Sequence, residues 1–171
     1  MQGKRGLVMG VANDRSIAWG IAKAMHEAGA EMAFSYQGEM FGKRVEPLAA
    51  SIGVDYLLDV DVSNDASMEA AFADLKARWG QLDFIVHAIA YSNKDELAGR
   101  FINTSRDNFK HSLDISCYSL IDVARRAAPL MKQGGTDPDP DLPGLEPGDA
   151  LLQRHGRGQG GAGIGGPLPG Q

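Results

Sequence analysis

Gly10 and Ser16 are the first residues whose types and spacing bear on chemistry. They bracket a polar loop, VANDR, that leaves the apolar run Leu7-Val8-Met9 and enters a helical pattern carried by Ile17, Ile21 and Met25. Strand, loop and helix in that order present the first-turn amides of the helix at the loop. Those amides and the helix dipole favour an anion, so a pyrophosphate fits between Gly10 and Ser16. Ser16 is the expected N-cap, its hydroxyl accepting from a free first-turn amide. The same stretch also reads as an ordinary strand-to-helix connection, because the loop lacks the full glycine-rich dinucleotide fingerprint. Elsewhere, His26, His87 and His111 do not cluster at metal-ligand spacing, and no metal site is expected.

The elements that must position these residues alternate along the chain. Residues 16–28 form the first helix, with Ile17, Ile21 and Met25 on one face and Ala28-Gly29 as its stop. A strand over 31–36 ends at Gln37. Residues 38–52 follow as a helix with Phe41, Val45 and Leu48 toward the core, and 56–62 as a third strand containing Asp61. A helix over 66–79 carries Met68, Ala71, Phe72 and Leu75. The run FIVHAI at 84–89 is a fourth strand whose continuous apolar character predicts burial on both faces. After a polar loop at 91–105, one long helix is expected over 106–132 through Leu113, Ile115, Leu120, Val123 and Leu130. Such alternation implies right-handed crossovers and an α/β, doubly wound parallel sheet. Ligands of these sheets lie beyond the carboxyl ends of the strands, where Gly10, Gln37, Asp61 and Ile89 all fall.

Composition narrows the partners. At 171 residues the chain is long enough to bury a real core, and its net charge of −5 with scattered Lys and Arg gives no basic stripe for nucleic acid and no polybasic membrane patch. The lone Cys117 fits a reducing compartment, reads as a small buried hydrophobe and excludes an internal disulfide. Residues 7–9 are too short an apolar run for a signal peptide, and no stretch of about 18 apolar residues exists for a membrane helix. A cytoplasmic location is expected.

Residues 1–135 resemble the NADH-dependent enoyl-acyl-carrier-protein reductases of bacterial fatty-acid synthesis, a divergent branch of the short-chain dehydrogenase/reductase superfamily. The resemblance rests on five ordered motifs: Gly10 followed by Ser16-Ile17-Ala18 and Gly20, AFSYQGE at 33–39, Asp61-Val62, HAIAYS at 87–92, and DISCYSL at 114–120. It implies a Rossmann-like fold and hydride transfer from NADH to the double bond of an enoyl thioester carried on acyl carrier protein. It further implies cofactor contacts at Gly10, Ser16 and Ile17 for the pyrophosphate. Gln37 would meet the adenosine side, Asp61 the adenine amino group and Val62 the adenine ring, while Ile89 would cover the ribose and nicotinamide end, with Ser92 toward the acyl substrate. Gly38 and Glu39 follow Gln37 with no Arg or Lys to pair a 2′-phosphate, which favours NADH over NADPH, while Lys43-Arg44 reads as surface helix. Asp61 also reads as an ordinary turn or capping carboxylate. Members of this family associate as tetramers through two long helices, of which 106–132 corresponds to one. Its apolar face at Leu113, Leu120 and Val123 would lack part of its partner here, so a stable tetramer is not expected of this chain.

The pattern breaks after Gly134-Gly135. Residues 136–171 hold six of the eight prolines, ten glycines and no aromatic residue, the composition of a low-complexity, disordered tail. The sheet is thus expected to be truncated after about four strands. Tyr91 and Tyr118 are not followed by Lys seven residues on, so no catalytic residue is assigned within 1–135. A back-translation of Leu152–Gly160 read one base later spells Tyr-Asn-Val-Met-Gly-Val-Ala-Lys, the tyrosine and lysine that the resemblance implies at their family spacing. Thr136–Gly144 treated alike gives Pro-Ile-Leu-Thr-Leu-Thr-Tyr-Leu, a buried strand ending in tyrosine. The tail therefore reads as a frameshifted segment of the gene. Two function classes stay open, an NADH-dependent reductase by descent and a non-catalytic nucleotide-binding fragment.

Overall fold

The computed structural model describes residues 1–131; residues 132–171, including the expected tail and the last residue of the expected long helix, lie outside the described residues. The elements run β1 (Arg5–Met9), α1 (Ile17–Glu27), β2 (Glu31–Tyr36), α2 (Gly38–Ser51), β3 (Leu57–Asp59), α3 (Asp65–Trp79) and β4 (Phe84–His87). Two short 3-10 turns then lead to α4 (Arg106–Leu113), a π-helical segment Asp114–Tyr118, and α5 (Ser119–Ala127), which ends in a 3-10 turn at Ala128–Leu130. The expected long helix is therefore present over 106–130, interrupted by the π segment.

All strand pairs are parallel, in the order β3-β2-β1-β4. Alternation along the central strands divides the core between the two faces of the sheet. Leu7, Met9 and Ala33 pack with Met68, Ala71, Phe72 and Leu75 of α3 and with Val123, Ala127 and Leu130. Val8, Met32 and Phe34 pack with Ala18, Trp19 and Ala22 of α1 and Val45 and Ala49 of α2. The doubly wound reading holds.

Four details differ from the sequence expectation. β3 is short, because its ladder involves only Phe34–Tyr36 of β2 against Leu57–Asp59. All four β4 residues are half-buried rather than buried, since β4 ends the strand order and has no outer neighbour among the described residues. The buried face of α1 is Ala18, Trp19 and Ala22, while Ile17 is 78% exposed at the helix entrance and Ile21 and Met25 lie at the margin. Trp19 meets Phe34 edge-on with ring centroids 6.3 Å apart, and that contact sets the rotation of the helix. Cys117 is exposed, not buried.

Helix α3 begins and ends by local chemistry. The Asn64 side chain accepts from the Ser67 amide at 3.0 Å, and Gly80 takes a left-handed conformation (φ 72°) just past Trp79. Tyr56 fixes the helix against the sheet. Its hydroxyl donates to Asp74 at 2.7 Å, its ring meets Trp79 edge-on at 5.0 Å, and the Arg78 guanidinium lies 4.0 Å above it.

Candidate functional site

Every strand runs the same way, so the expected residues emerge at one edge of the sheet. Gly10 follows β1, Gln37 follows β2, Asp61 lies two residues past β3, and Ile89 two past β4. The chain leaves β1 toward β2 and β3 on one side and reaches β4 on the other. The connections therefore diverge between β1 and β4, the place where sheets of this kind open a crevice.

Gly10 sits at that opening under two constraints. Its φ is +95°, and a Cβ there would lie 2.1 Å from the Ala88 carbonyl oxygen. Only glycine lets the β1 and β4 exits run this close.

Beyond Gly10, Asn13 organises the loop. Its side chain accepts from the Arg15 amide at 2.8 Å, and its carbonyl accepts from both the Ser16 amide (3.2 Å) and the Ser16 hydroxyl (2.7 Å). Ser16 does occupy the N-cap position, with extended backbone, but no side chain caps α1. The expected cap is thus corrected: the hydroxyl is turned back onto the loop, where it donates to the Asn13 carbonyl, and its oxygen accepts from no first-turn amide. The consequence is an α1 N-terminus with no side-chain acceptor over its first turn, the arrangement an incoming anion can complete. Asn13 escaped the sequence reading, although Asn-Asp ahead of a helix start is a turn signal.

The adenosine end of the expected site is also assembled. Gln37 is exposed at the N-terminus of α2, whose following amide, Gly38, donates to Asp59 at 2.7 Å. Asp61 accepts from both the amide (2.9 Å) and the hydroxyl (2.6 Å) of Ser63 through one oxygen, Oδ1, so the turn reading of this carboxylate is correct for that atom. Hydrogen bonding from the Ser63 hydroxyl holds the carboxyl below the usual range against the opposing effect of burial, and the Gln37 side chain adds to it. Gln37 and Asp61 thus stand at the neighbouring β2 and β3 exits. Val62 and Ile89 are half-buried and pack on the α3 side of the core. Lys43 pairs with Glu39 at 2.6 Å on the exposed face of α2, and the Arg44 guanidinium lies 5.9 Å over the Phe41 ring.

At the β4 exit the chain is held by the α4–α5 helix. Asn108, buried, accepts from the Asn93 amide at 2.8 Å and donates to the Ser92 hydroxyl at 3.2 Å. Ser92 and Asn108 line a cavity of about 390 Å³ together with Leu97, Phe101 and Phe109. One step back on β4, His87 Nε2 lies 2.8 Å from the Ser119 hydroxyl. The same Ser119 hydroxyl reaches the Ile115 carbonyl one helical turn back, which links β4 to the π-helical segment. Burial pushes the His87 pKa down and keeps the ring neutral. Among the described residues no group of three His, Cys, Asp or Glu is placed to hold a metal ion.

A four-stranded parallel sheet covered on both faces, a divided carboxyl edge and an uncapped first helix define the class: a Rossmann-like α/β domain. Residues 10–136 match the family model described as Enoyl-(Acyl carrier protein) reductase, and the chain belongs to that family. It is 57% identical over 136 residues to an enoyl-[acyl-carrier-protein] reductase [NADH] of Rhizobium meliloti, an alignment covering 80% of this chain and 51% of the relative. Among solved structures, the Anaplasma phagocytophilum reductase in complex with NAD aligns with a TM-score of 0.74 at 53% identity, over 77% of this chain and 50% of that one. The Bacillus cereus reductase, solved with NADP+ and indole naphthyridinone, aligns with a TM-score of 0.75 at 45% identity, over 78% and 53%. The chain spans about half the length of the curated relatives it matches.

Proposed function

We propose that residues 1–135 form the cofactor-binding part of an NADH-dependent enoyl-acyl-carrier-protein reductase, a cytoplasmic enzyme of fatty-acid synthesis. The observation that carries the reading is the convergence of Gly10, Gln37, Asp61 and Ile89 on one sheet edge beside a helix N-terminus without a side-chain cap. When bound, NADH supplies the hydride for the enoyl β-carbon. The α1 amides and the Ser16 hydroxyl hold the pyrophosphate, with Gly10 leaving the backbone bare there and Ile17 opening the helix. Gln37 and the remaining oxygen of Asp61 meet the adenosine, with Val62 against the adenine ring. Ile89 borders the nicotinamide ribose, and Ser92 faces the acyl thioester. Gly38 and Glu39 follow Gln37 with no Arg or Lys to pair a 2′-phosphate, which supports NADH over NADPH.

Reduction of an enoyl thioester also needs a donor for the negative charge that develops on the thioester oxygen. The family resemblance assigns that role to a tyrosine followed by a lysine, and neither Tyr91 nor Tyr118 has one at that spacing. We assign residues 136–171 to a separate, frameshifted tail and the 171-residue chain to an inactive state. Loss of a single such donor costs about two to three orders of magnitude in rate.

Two measurements test this. Calorimetry should show NADH binding to the chain more tightly than NADPH, yet far more weakly than to a longer chain read from a one-base correction near codons 135–136. The 171-residue chain should give no measurable NADH oxidation with a crotonyl thioester, and the corrected chain should. Turnover by the 171-residue chain would place the donor within 1–135, and an inactive corrected chain would remove the frameshift account. The second reading, a non-catalytic nucleotide-binding fragment, is favoured by the composition of 136–171; an uninterrupted genomic reading frame with its stop codon directly after Gln171 would select it.

A further inference from the structure

The π-helical segment Asp114–Tyr118 is the one wide turn in an otherwise tight helix, and its Ser116 side chain reaches the β4 exit. Its hydroxyl accepts from the Tyr91 amide at 3.0 Å and donates to the Tyr91 carbonyl at 3.3 Å, so both backbone groups of one residue are satisfied by one side chain from another element. Such a two-way bond fixes rotation as well as distance, because it is made only when the peptide groups on both sides of Tyr91 face the helix. The Tyr91 ring is held separately, edge-on to His111 with centroids 4.9 Å apart. Asn108 then ties Ser92 and Asn93 to the same helix. The segment immediately after Ile89 is thus registered on the helix residue by residue, in a place where a free loop would otherwise leave the strand.

We propose that Ser116 is a positioning residue for the nicotinamide end of the cofactor site: by clamping the Tyr91 backbone it sets where Ile89 and Ser92 stand at the β4 exit. The role rests on the reading of this edge as an NADH site. It predicts a division between the two halves of the cofactor. Gln37 and Asp61 lie at the β2 and β3 exits, and β1 separates β2 from β4, so loosening Tyr91 leaves the adenosine half untouched. A change that only weakened the fold would lower both halves together.

The experiment compares NADH with ADP-ribose, which lacks the nicotinamide, by calorimetry on the full 171-residue chain and on Ser116→Ala and Ser116→Thr variants. The wild-type chain should prefer NADH. Ser116→Ala should reduce that preference by about tenfold, the equivalent of one well-made hydrogen bond, with ADP-ribose affinity unchanged. Ser116→Thr retains the hydroxyl and should retain the preference. Hydrogen exchange of the Tyr91 amide, measured without nucleotide, should quicken in Ser116→Ala and not in Ser116→Thr. Unchanged ADP-ribose binding certifies that each variant is folded. A preference for NADH that survives Ser116→Ala, or a parallel loss of both ligands, would overturn the positioning role and leave the cofactor reading standing. A wild-type chain that bound neither nucleotide would overturn the cofactor reading and this role with it.

Discussion

Gly10 and Ser16 bracket the same loop, yet they answer differently to substitution. Gly10→Ala must place a side chain at φ +95° and within 2.1 Å of the Ala88 carbonyl, and backbone cannot yield as a rotamer would. The strained φ alone costs about 1–3 kcal/mol, so the urea midpoint should fall by at least that equivalent. Ser16→Ala removes only a hydroxyl bonded to its own loop, and stability should stay within about 0.5 kcal/mol of the parent. NADH affinity should nevertheless fall several-fold if the hydroxyl swings to the pyrophosphate; an unchanged affinity would remove Ser16 from the site. The type of each residue was readable in the sequence. The direction of the Ser16 hydroxyl was not, because it depends on where the Asn13 carbonyl ends up after the turn.

At the scale of elements, the contacts of β4 and α5 give the fold its acid sensitivity. His87 is neutral by burial, with a folded pKa below its ordinary value, so the unfolded chain binds the proton first on acidification. Stability should therefore decline as the pH falls from about 6.5, and His87→Asn should remove that part of the decline in a series of denaturation curves. A second, lower step belongs to Asp122, 4% exposed on α5. Burial alone would raise its pKa, but bonds from Arg126, at 2.8 Å, and from Arg125 outweigh it and bring the pKa below the ordinary value. Its contribution is complete above about pH 4 and is lost as the pH falls through the depressed pKa. Arg126 also reaches Asp65 at 2.8 Å, so the guanidinium that pairs with Asp122 anchors α5 beside the start of α3. Periodicity located α3 well, with its expected core residues all buried. It misjudged α1, where small residues and one tryptophan form the packed face and Ile17 is left at the exposed entrance. Hydrophobicity alone cannot separate these, since a helix entrance at a ligand edge and a core face can both carry isoleucine.

For the molecule as a whole, the α4–α5 helix divides its apolar residues between two surfaces. Val123 is fully buried against the sheet, whereas Leu113 and Leu120 are 48% and 44% exposed, with Phe109 and Ile121 exposed beside them in sequence. We expect the chain to self-associate through this surface, with a light-scattering mass that rises with concentration and drops on Leu113→Glu combined with Leu120→Glu. A clean, stable tetramer, or a monomer at all concentrations, would contradict this. By itself the sequence determined the α/β class, the number of the described strands and their succession along the chain, the family and the strand-end residues of the candidate site. Those properties follow from alternation, local periodicity and short motifs, which are written along the chain. Only the tertiary structure decided that β4 stands at the edge of the described sheet, that Val123 faces inward while Leu113 and Leu120 do not, and that Ser116 meets the Tyr91 backbone. Ser116 and Tyr91 are 25 positions apart, and no local pattern encodes a hydrogen bond that exists only once β4 and the π-helical turn are packed side by side.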